Sequence, residues 1–101
     1  MRMYNPPHPG EIIKSLWLDE CNISVRTLAK YLDVSPSTIA RIINGKADIT
    51  PEMSIRLSKV LGRTPESWLA MQDNYSLWKI EQQHDFSKLI KLNSPCVSAI
   101  V

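Results

Sequence analysis

Apolar positions recur at helical spacing along the chain, and the clearest case follows Ser35. Ile39, Ile42 and Ile43 fall at positions i, i+3 and i+4, so they share one side of a helix. Three polar positions fall on the opposite side: Ser37, Thr38 and Arg41. The pattern predicts a short helix at about 35–43 that buries its isoleucines and exposes its polar side.

The ends of this helix carry recognisable signals. Ser35 is suited to capping the first turn, and Pro36 fits the first helical position, where no backbone N–H is needed. Asn44 and Gly45 tolerate the left-handed conformation that ends helices. Lys46 follows as a cation. A helix with small hydroxyls and one Arg on its free side suits a groove lined with hydrogen-bonding edges and phosphates.

A second short helix precedes it, at about 24–32, with Leu28, Ala29 and Leu32 on one side. Asp33 then turns the chain, and Asp visits positive φ at modest cost. Two short helices joined by a tight turn predict a helix-turn-helix. The alternative is a helical hairpin without any ligand.

Three further helices complete an all-α chain. Pro9 opens the first, which runs to about Glu20 with a predicted inward stripe of Ile12, Ile13, Leu16 and Trp17. The other two begin alike, at Thr50-Pro51-Glu52 and Thr64-Pro65-Glu66, with a capping hydroxyl, a proline and an acid near the positive helix end. Gly62 ends the first of this pair, and the second runs to about Gln83.

The last helix has more apolar side chains than one packed face needs. Trp68, Tyr75 and Trp78 form one stripe, while Leu69, Leu77 and Ile80 lie off it. We therefore predict a dimer or partner surface that includes four of them: Trp68, Tyr75, Leu77 and Trp78. The alternative is that the C-terminal tail folds back over this helix.

The tail defines a second segment. Residues 1–83 are predicted to form the helix-turn-helix domain and residues 84–101 a tail, for which a short helix at 85–92 and a partner-binding role are the alternatives. Asn93-Ser94-Pro95 breaks any helix. The apolar end, 96–101, is suited to pairing as a strand, packing into a groove or fraying.

Charge is concentrated where the two short helices lie. The chain has 101 residues and a formal charge of +2, but residues 24–63 hold seven Lys or Arg against three acids, a local +4. Such clustering is typical of a DNA-binding face, although a solvated surface would also explain it.

Other function classes find little support. Cys21 and Cys96 lack the spacing of a metal or redox motif, and His8 and His84 have no paired carboxylates or activated nucleophile nearby in sequence. We expect no enzyme activity, no metal and no cofactor. No apolar run is long enough for a membrane span or a signal peptide, so we expect a cytoplasmic protein.

Candidate DNA contacts follow from this geometry. Five residues at the start and on the free side of the predicted recognition helix are candidates for base contacts: Ser35, Pro36, Ser37, Thr38 and Arg41. Four are candidates for phosphate contacts: Arg26, Lys30, Asn44 and Lys46. Arg41 is the strongest of them, since a guanidinium pairs bidentately with guanine.

Three blocks of the sequence resemble a known family. The central block resembles lambda-repressor-like (XRE/Cro) helix-turn-helix domains: Leu28-Ala29, Val34-Ser35, Ile39 and Arg41-Ile42-Ile43-Asn44-Gly45-Lys46. Two flanking blocks resemble the HigA/VapI antitoxins: His8-Pro9-Gly10-Glu11-Ile12-Ile13, and Trp68-Leu69 with Gln72, Tyr75, Leu77 and Trp78. The resemblance covers about residues 7–80.

The resemblance implies a five-helix bundle that dimerises, binds inverted-repeat double-stranded DNA, represses its own operon and neutralises a small RelE/HigB-like RNase toxin. Two positions depart from the family pattern. Asp33 replaces the usual Gly, and Pro36 stands where many relatives carry a long polar side chain. The alternatives are a solitary helix-turn-helix repressor without a toxin partner, and an interaction module that has lost DNA binding.

Overall fold

The computed structural model describes residues 5–92, and it holds five helices and no strand in that range. Helix α1 is α-helical over Pro9–Ile13 and continues directly as a π-helical segment, Lys14–Asp19. The other four helices follow in order: α2, Val25–Leu32; α3, Pro36–Ile43; α4, Pro51–Leu61; and α5, Pro65–Gln83. The predicted all-α, five-helix architecture is confirmed.

Every α-helix begins with a side chain that accepts a hydrogen bond from a backbone N–H of the first turn, which satisfies one of the donors that a helix start leaves free. The capping residues are His8, Ser24, Ser35, Thr50 and Thr64. Four of the five helices also have a proline at the start. These local signals explain why the predicted starts agree with the observed ones.

Helix α1 departs from the predicted stripe because its second half is π-helical. Backbone bonds here span five residues, as from the Glu20 N–H to the Ser15 oxygen at 3.2 Å. The extra residue per turn shifts the inward positions from i+4 toward i+5. Ile13 is buried and Trp17 and Leu18 pack against the core, whereas Leu16 is 46% exposed. The predicted inward position of Leu16 is therefore wrong.

The core lies where all five helices meet. Helix α1 packs on α3 and α5, α2 packs on α3 and α4, and α4 packs on α5. Ten apolar side chains are buried in it: Ile13, Leu28, Ala29, Leu32, Ile39, Ile42, Ile49, Met53, Leu57 and Trp68.

Trp68 corrects the predicted partner surface. Its side chain is fully buried, at 0% exposure, and its indole Nε1–H donates to the Gly62 carbonyl oxygen at 3.0 Å. The ring packs 5.9 Å from that of Trp17. The first half of α5 lies against α1 and α4, so Trp68 faces the core. Trp68 therefore does not belong to a partner surface.

The tail has no helix in its described part. The Asp85 side chain accepts a bond from the Ser87 N–H at 2.9 Å, and the Leu89 N–H bonds to the Phe86 oxygen at 3.1 Å. Such a local side-chain bond stabilises a turn in place of a helix. The possible helix at 85–92 is therefore wrong, and the predictions for 93–101 lie outside the described residues. None of the helices described is long and apolar enough to cross a membrane.

Candidate nucleic-acid interface

The turn between α2 and α3 sets the angle at which α3 leaves the core. Asp33 lies in the left-handed region, at φ 57° and ψ 47°. The Asp33 N–H bonds to the Lys30 oxygen at 3.2 Å, and the Val34 N–H bonds to the Ala29 oxygen at 3.0 Å. These bonds satisfy carbonyl groups that the end of α2 leaves free. The predicted left-handed turn at Asp33 is confirmed.

A clamp from α4 holds the same turn, and the sequence pattern did not predict it. Arg56 Nη1 donates to the Leu32 oxygen at 2.8 Å and to the Asp33 oxygen at 3.2 Å. A guanidinium at a helix C-terminus also complements the negative end of the helix dipole. Arg56 is one of the seven cations of the basic segment. Because its guanidinium binds these carbonyl oxygens, it is not counted among the cations available to bind phosphate.

The inner side of α3 is fixed against the core and against α1. Ile39 and Ile42 are buried, and Ile43 is half-buried and packs against the same cluster. Gly10 lies directly on the end of α3, where a Cβ atom would overlap the Ile42 carbonyl group. Only glycine permits so close an approach of two backbones. Helix α3 therefore has its outer side alone available for a ligand.

Hydroxyl groups cluster at the start of that outer side. Ser35 Oγ accepts from the Thr38 N–H at 3.3 Å and lies 3.1 Å from Ser37 Oγ and 2.9 Å from Thr38 Oγ1. Ser35, Pro36 and Ser37 are exposed, while Thr38 is half-buried. The capping role predicted for Ser35 is confirmed. Each hydroxyl keeps lone pairs or a proton that a second partner can use.

Arg41 is exposed one turn further along the same side. No carboxylate within residues 5–92 pairs with its guanidinium. Beside it lies a shallow depression of about 210 Å³ between α3 and the start of α4. Its lining combines Thr38 and Arg41 with apolar groups of Ala47 and Met53. A bidentate donor next to a small apolar hollow is suited to reading a base edge in a major groove.

Four polar residues flank this side, and all are exposed: Arg26, Lys30, Asn44 and Lys46. Arg26 and Lys30 lie one turn apart on α2. In the part of the chain that the structure describes, none of the three cations has an ion-pair partner. Unpaired cations around a groove-sized helix favour phosphate binding.

The loop that ends α3 is left-handed at one position. Gly45 has φ 73°, whereas Asn44 has φ −84° and ψ 5°, in the bridge region next to the helical one. The predicted left-handed stop therefore falls on Gly45. The Lys46 and Ala47 N–H groups both donate to the Arg41 oxygen, at 2.8 Å and 3.2 Å. These bonds fold the Lys46 backbone back onto the helix that carries Arg41.

His8 is buried beside α5 and has a structural role. Its Nδ1 accepts from the Gly10 N–H at 2.9 Å, and its ring meets that of Tyr75 edge to face at 4.9 Å. Burial lowers the pKa of His8 below 6.5, although Asp48 and Glu11 oppose the shift and Lys79 adds to it. The neutral ring is the form that caps α1, because Nδ1 must stay unprotonated to accept.

The remaining members of the predicted partner surface lie in the second half of α5. Tyr75 and Trp78 are half-buried, and Leu77 is 45% exposed. Ile80, one turn after Leu77, is also 45% exposed. Four apolar side chains of the tail continue this exposure: Phe86, Leu89, Ile90 and Leu92. An apolar surface of this extent is typical of an interface.

Comparison with known families and sequences agrees with the geometry. A family model described as "Helix-turn-helix" matches residues 15–69. An uncharacterised HTH-type transcriptional regulator of Escherichia coli K12, YddM, is 46% identical over 92 residues, which is 91% of this chain and 97% of that protein.

Solved structures point the same way. Antitoxin GraA, solved in complex with its operator, matches with a TM-score of 0.82 and 32% identity, over 93% of this chain and 99% of that one. Antitoxin HigA of Pseudomonas aeruginosa, solved with the higBA promoter, matches with a TM-score of 0.76 and 31% identity, over 86% and 98%.

Proposed function

The chain belongs to the lambda-repressor-like helix-turn-helix family, in its DNA-binding antitoxin branch, and from that premise we propose that it binds an inverted-repeat operator and represses its own operon. We propose further that it acts as a cytoplasmic homodimer and neutralises a RelE/HigB-like RNase toxin. This is a family of DNA-binding proteins rather than of enzymes.

One observation carries the DNA-binding proposal. Helix α3 buries Ile39 and Ile42 on one side and presents Ser37 and Arg41 to solvent on the other, with unpaired cations around it. Arg41 reads a base edge, and Ser37 and Thr38 supply shorter contacts. Arg26, Lys30 and Lys46 bind phosphates and fix the position of the helix in the groove.

A dimer follows from the small size of this surface. One recognition helix makes few contacts, whereas a two-fold dimer places two of them in successive major grooves about 34 Å apart. The exposed apolar side chains Leu77 and Ile80, with those of the tail, support a subunit or partner contact formed by the second half of α5 and the tail. The operator is then an inverted repeat, because the protein itself is two-fold symmetric.

Substitution of Arg41 tests the DNA contact. We expect Arg41→Ala to weaken binding to the DNA upstream of the chain's own gene by about 1–3 kcal/mol per half-site and to relax preference at one base pair. Arg41→Lys keeps the charge but loses the bidentate geometry, so it should retain affinity for random DNA and lose sequence preference. Fluorescence anisotropy with operator and scrambled duplexes measures both effects.

The assignment of Arg41 fails if Arg41→Ala binds operator with unchanged affinity and preference. Lys59→Ala is the matched control, since Lys59 is an exposed cation on α4 that is not among the candidate DNA contacts. It should alter neither quantity beyond the small effect of one distant charge.

Co-purification tests the antitoxin proposal. The native chain, expressed with its neighbouring genes, should bring down a small basic RNase and form a two-fold dimer. Leu77→Glu should weaken one of these associations, because it buries a charge in an apolar contact. Ile55→Glu, which changes an apolar side chain on α4 that is 50% exposed, is the control.

The outcome separates the two candidate functions. A dimer that binds its operator without any co-purifying protein supports the solitary repressor, the role that the name of the E. coli relative suggests. A co-purifying RNase whose activity is lost in the complex supports the antitoxin.

A further inference from the structure

Gln72 is the one buried amide side chain among the described residues, at 4% exposure in the middle of α5. Its Oε1 accepts from the Ile49 N–H at 2.9 Å. Its Nε2 donates to Asp48 Oδ1 at 3.2 Å and to Ser76 Oγ at 3.0 Å. Both ends of the amide are thus used, and two of the three bonds reach the loop that follows the recognition helix.

The bond from Ile49 to Gln72 satisfies a buried backbone N–H group. Ile49 is 3% exposed, and its N–H lies in a loop with no helical carbonyl to receive it. A buried backbone donor without a partner costs about as much as a lost hydrogen bond. Gln72 satisfies this donor from a residue 23 positions away in the sequence.

The loop between α3 and α4 is therefore held at both ends. At its start, the Lys46 and Ala47 N–H groups bond to the Arg41 oxygen. At its end, Asp48 and Ile49 bond to Gln72. Lys46, a candidate phosphate contact, belongs to the first attachment, lies two residues before Asp48 and is exposed.

We propose that Gln72 is a positioning residue for DNA binding, which holds the α3–α4 loop so that Lys46 meets the phosphate backbone. The same amide keeps the Asp48 carboxylate bonded to α5, which limits its approach to the negatively charged DNA. This proposal rests on the proposed DNA binding. Through Gln72, α5, which carries the exposed Leu77 and Ile80, is hydrogen-bonded directly to the α3–α4 loop.

Two substitutions at Asp48 test the link without disturbing the core. Asp48→Asn and Asp48→Ala remove the same charge from an exposed position, but only the asparagine keeps an oxygen that accepts from Gln72. The asparagine variant should bind operator about fivefold more tightly than the alanine variant, the ratio expected for one hydrogen bond. Equal affinities for the two variants would overturn the proposal.

Gln72→Glu tests the amide itself. A glutamate still accepts from the Ile49 N–H but cannot donate to Asp48, and it faces that carboxylate with a like charge. Operator affinity should fall about tenfold, and the dependence of log K on log salt should become shallower as the Lys46 contact is lost. Gln82→Glu places the same charge at an exposed position of α5 and is the control.

Rescue separates positioning from a general loss of structure. In Gln72→Glu/Asp48→Asn the asparagine amide donates to the glutamate, so affinity should recover relative to Gln72→Glu alone by more than Asp48→Asn gains over wild type. All variants are compared below their unfolding temperatures, with anisotropy on one selected duplex. Wild-type protein that binds no duplex would refute the proposed function, whereas wild-type binding with no loss in Gln72→Glu would refute this inference alone.

Discussion

Single side chains stabilise this fold by joining one helix to the next. Trp68 combines complete burial with a hydrogen bond from its indole N–H to the Gly62 oxygen. Gly62 ends α4 at φ 95°, a conformation that few residues other than glycine adopt. The bond therefore fixes the α4–α5 corner at the one residue whose backbone conformation requires glycine.

Removing that bond should cost stability. We expect Trp68→Phe to lower the free energy of unfolding by about 1–3 kcal/mol, because it shrinks a buried ring and leaves the Gly62 oxygen without its donor. Trp17→Phe is the control, since Trp17 is only partly buried and has no such bond. Urea unfolding measures both. Equal losses for the two variants would show that the hydrogen bond adds little.

The sequence pattern predicts single residues well where their role is local. Ser35 caps the turn that it precedes, and its neighbours alone decide this. It fails where the role depends on a partner over 20 residues away, as for Arg56 and Gln72. It also misplaced Trp68, because a stripe on a helix predicts which residues share a side but not which side meets the core.

At the scale of elements, the α2–α3 turn depends on one left-handed residue. Asp33 has no Gly-like freedom at φ 57°, yet aspartate accepts this region better than most side chains do. Arg56 donates to the Leu32 and Asp33 carbonyl oxygens, which belong to the two peptide groups that flank Asp33. The angle between the two helices is thus set by backbone conformation and held by a cation from α4.

Two substitutions at Asp33 should therefore diverge. Asp33→Gly relieves the left-handed strain but raises the conformational entropy of the unfolded chain. The two effects oppose each other, so the free energy of unfolding should change by no more than about 1 kcal/mol. Asp33→Val should destabilise the protein by about 2 kcal/mol, since a β-branched residue fits this region poorly. Thermal unfolding distinguishes them, and a valine variant as stable as the glycine variant would contradict the role assigned to this turn.

Element boundaries follow from short-range chemistry, which explains why most of them could be predicted. The Thr-Pro starts of α4 and α5 and the glycine after α4 fix those ends locally. The π-helical half of α1 has no such signal. The turn at 85–89 that replaces the predicted short helix has a local signal, the bond from the Ser87 N–H to the Asp85 side chain, which the apolar pattern does not reveal.

At the scale of the whole molecule, His8 joins the segment before α1 to α5. Burial lowers its pKa below 6.5, because the ring is nearly enclosed and caps α1 in its neutral form. The charged groups that face it are Asp48, Glu11 and Lys79. The unfolded chain binds the proton more tightly, so the contribution of His8 to stability is complete above pH 6.5 and is lost as the pH falls below that value.

The pH dependence of unfolding tests this role. From pH 7.5 to 5.5 the wild-type free energy of unfolding should decrease with a slope of at most about 1.4 kcal/mol per pH unit for this one proton. His8→Asn retains a side-chain oxygen that can cap α1 and removes the titration, so its profile should be flatter. Profiles that run parallel would assign the pH dependence to other groups.

The sequence predicts the exposed side chains of the candidate site, but it does not predict the residues that hold them in place. The polar side of α3 and the cations around it follow from helical periodicity and charge counting. The parts that hold them lie in α1, α4 and α5, and their contacts depend on the tertiary packing of all five helices.

The contact of Gly10 with the end of α3 has a consequence for natural variation. Two main chains touch there, so an added methyl group has no flexible neighbour to displace and must shift a whole helix. The residue at position 10 thereby governs the tilt of α3, the helix proposed to bind DNA. Changes in operator preference among related repressors can thus originate at a buried residue behind that helix, where the side chain is a single hydrogen.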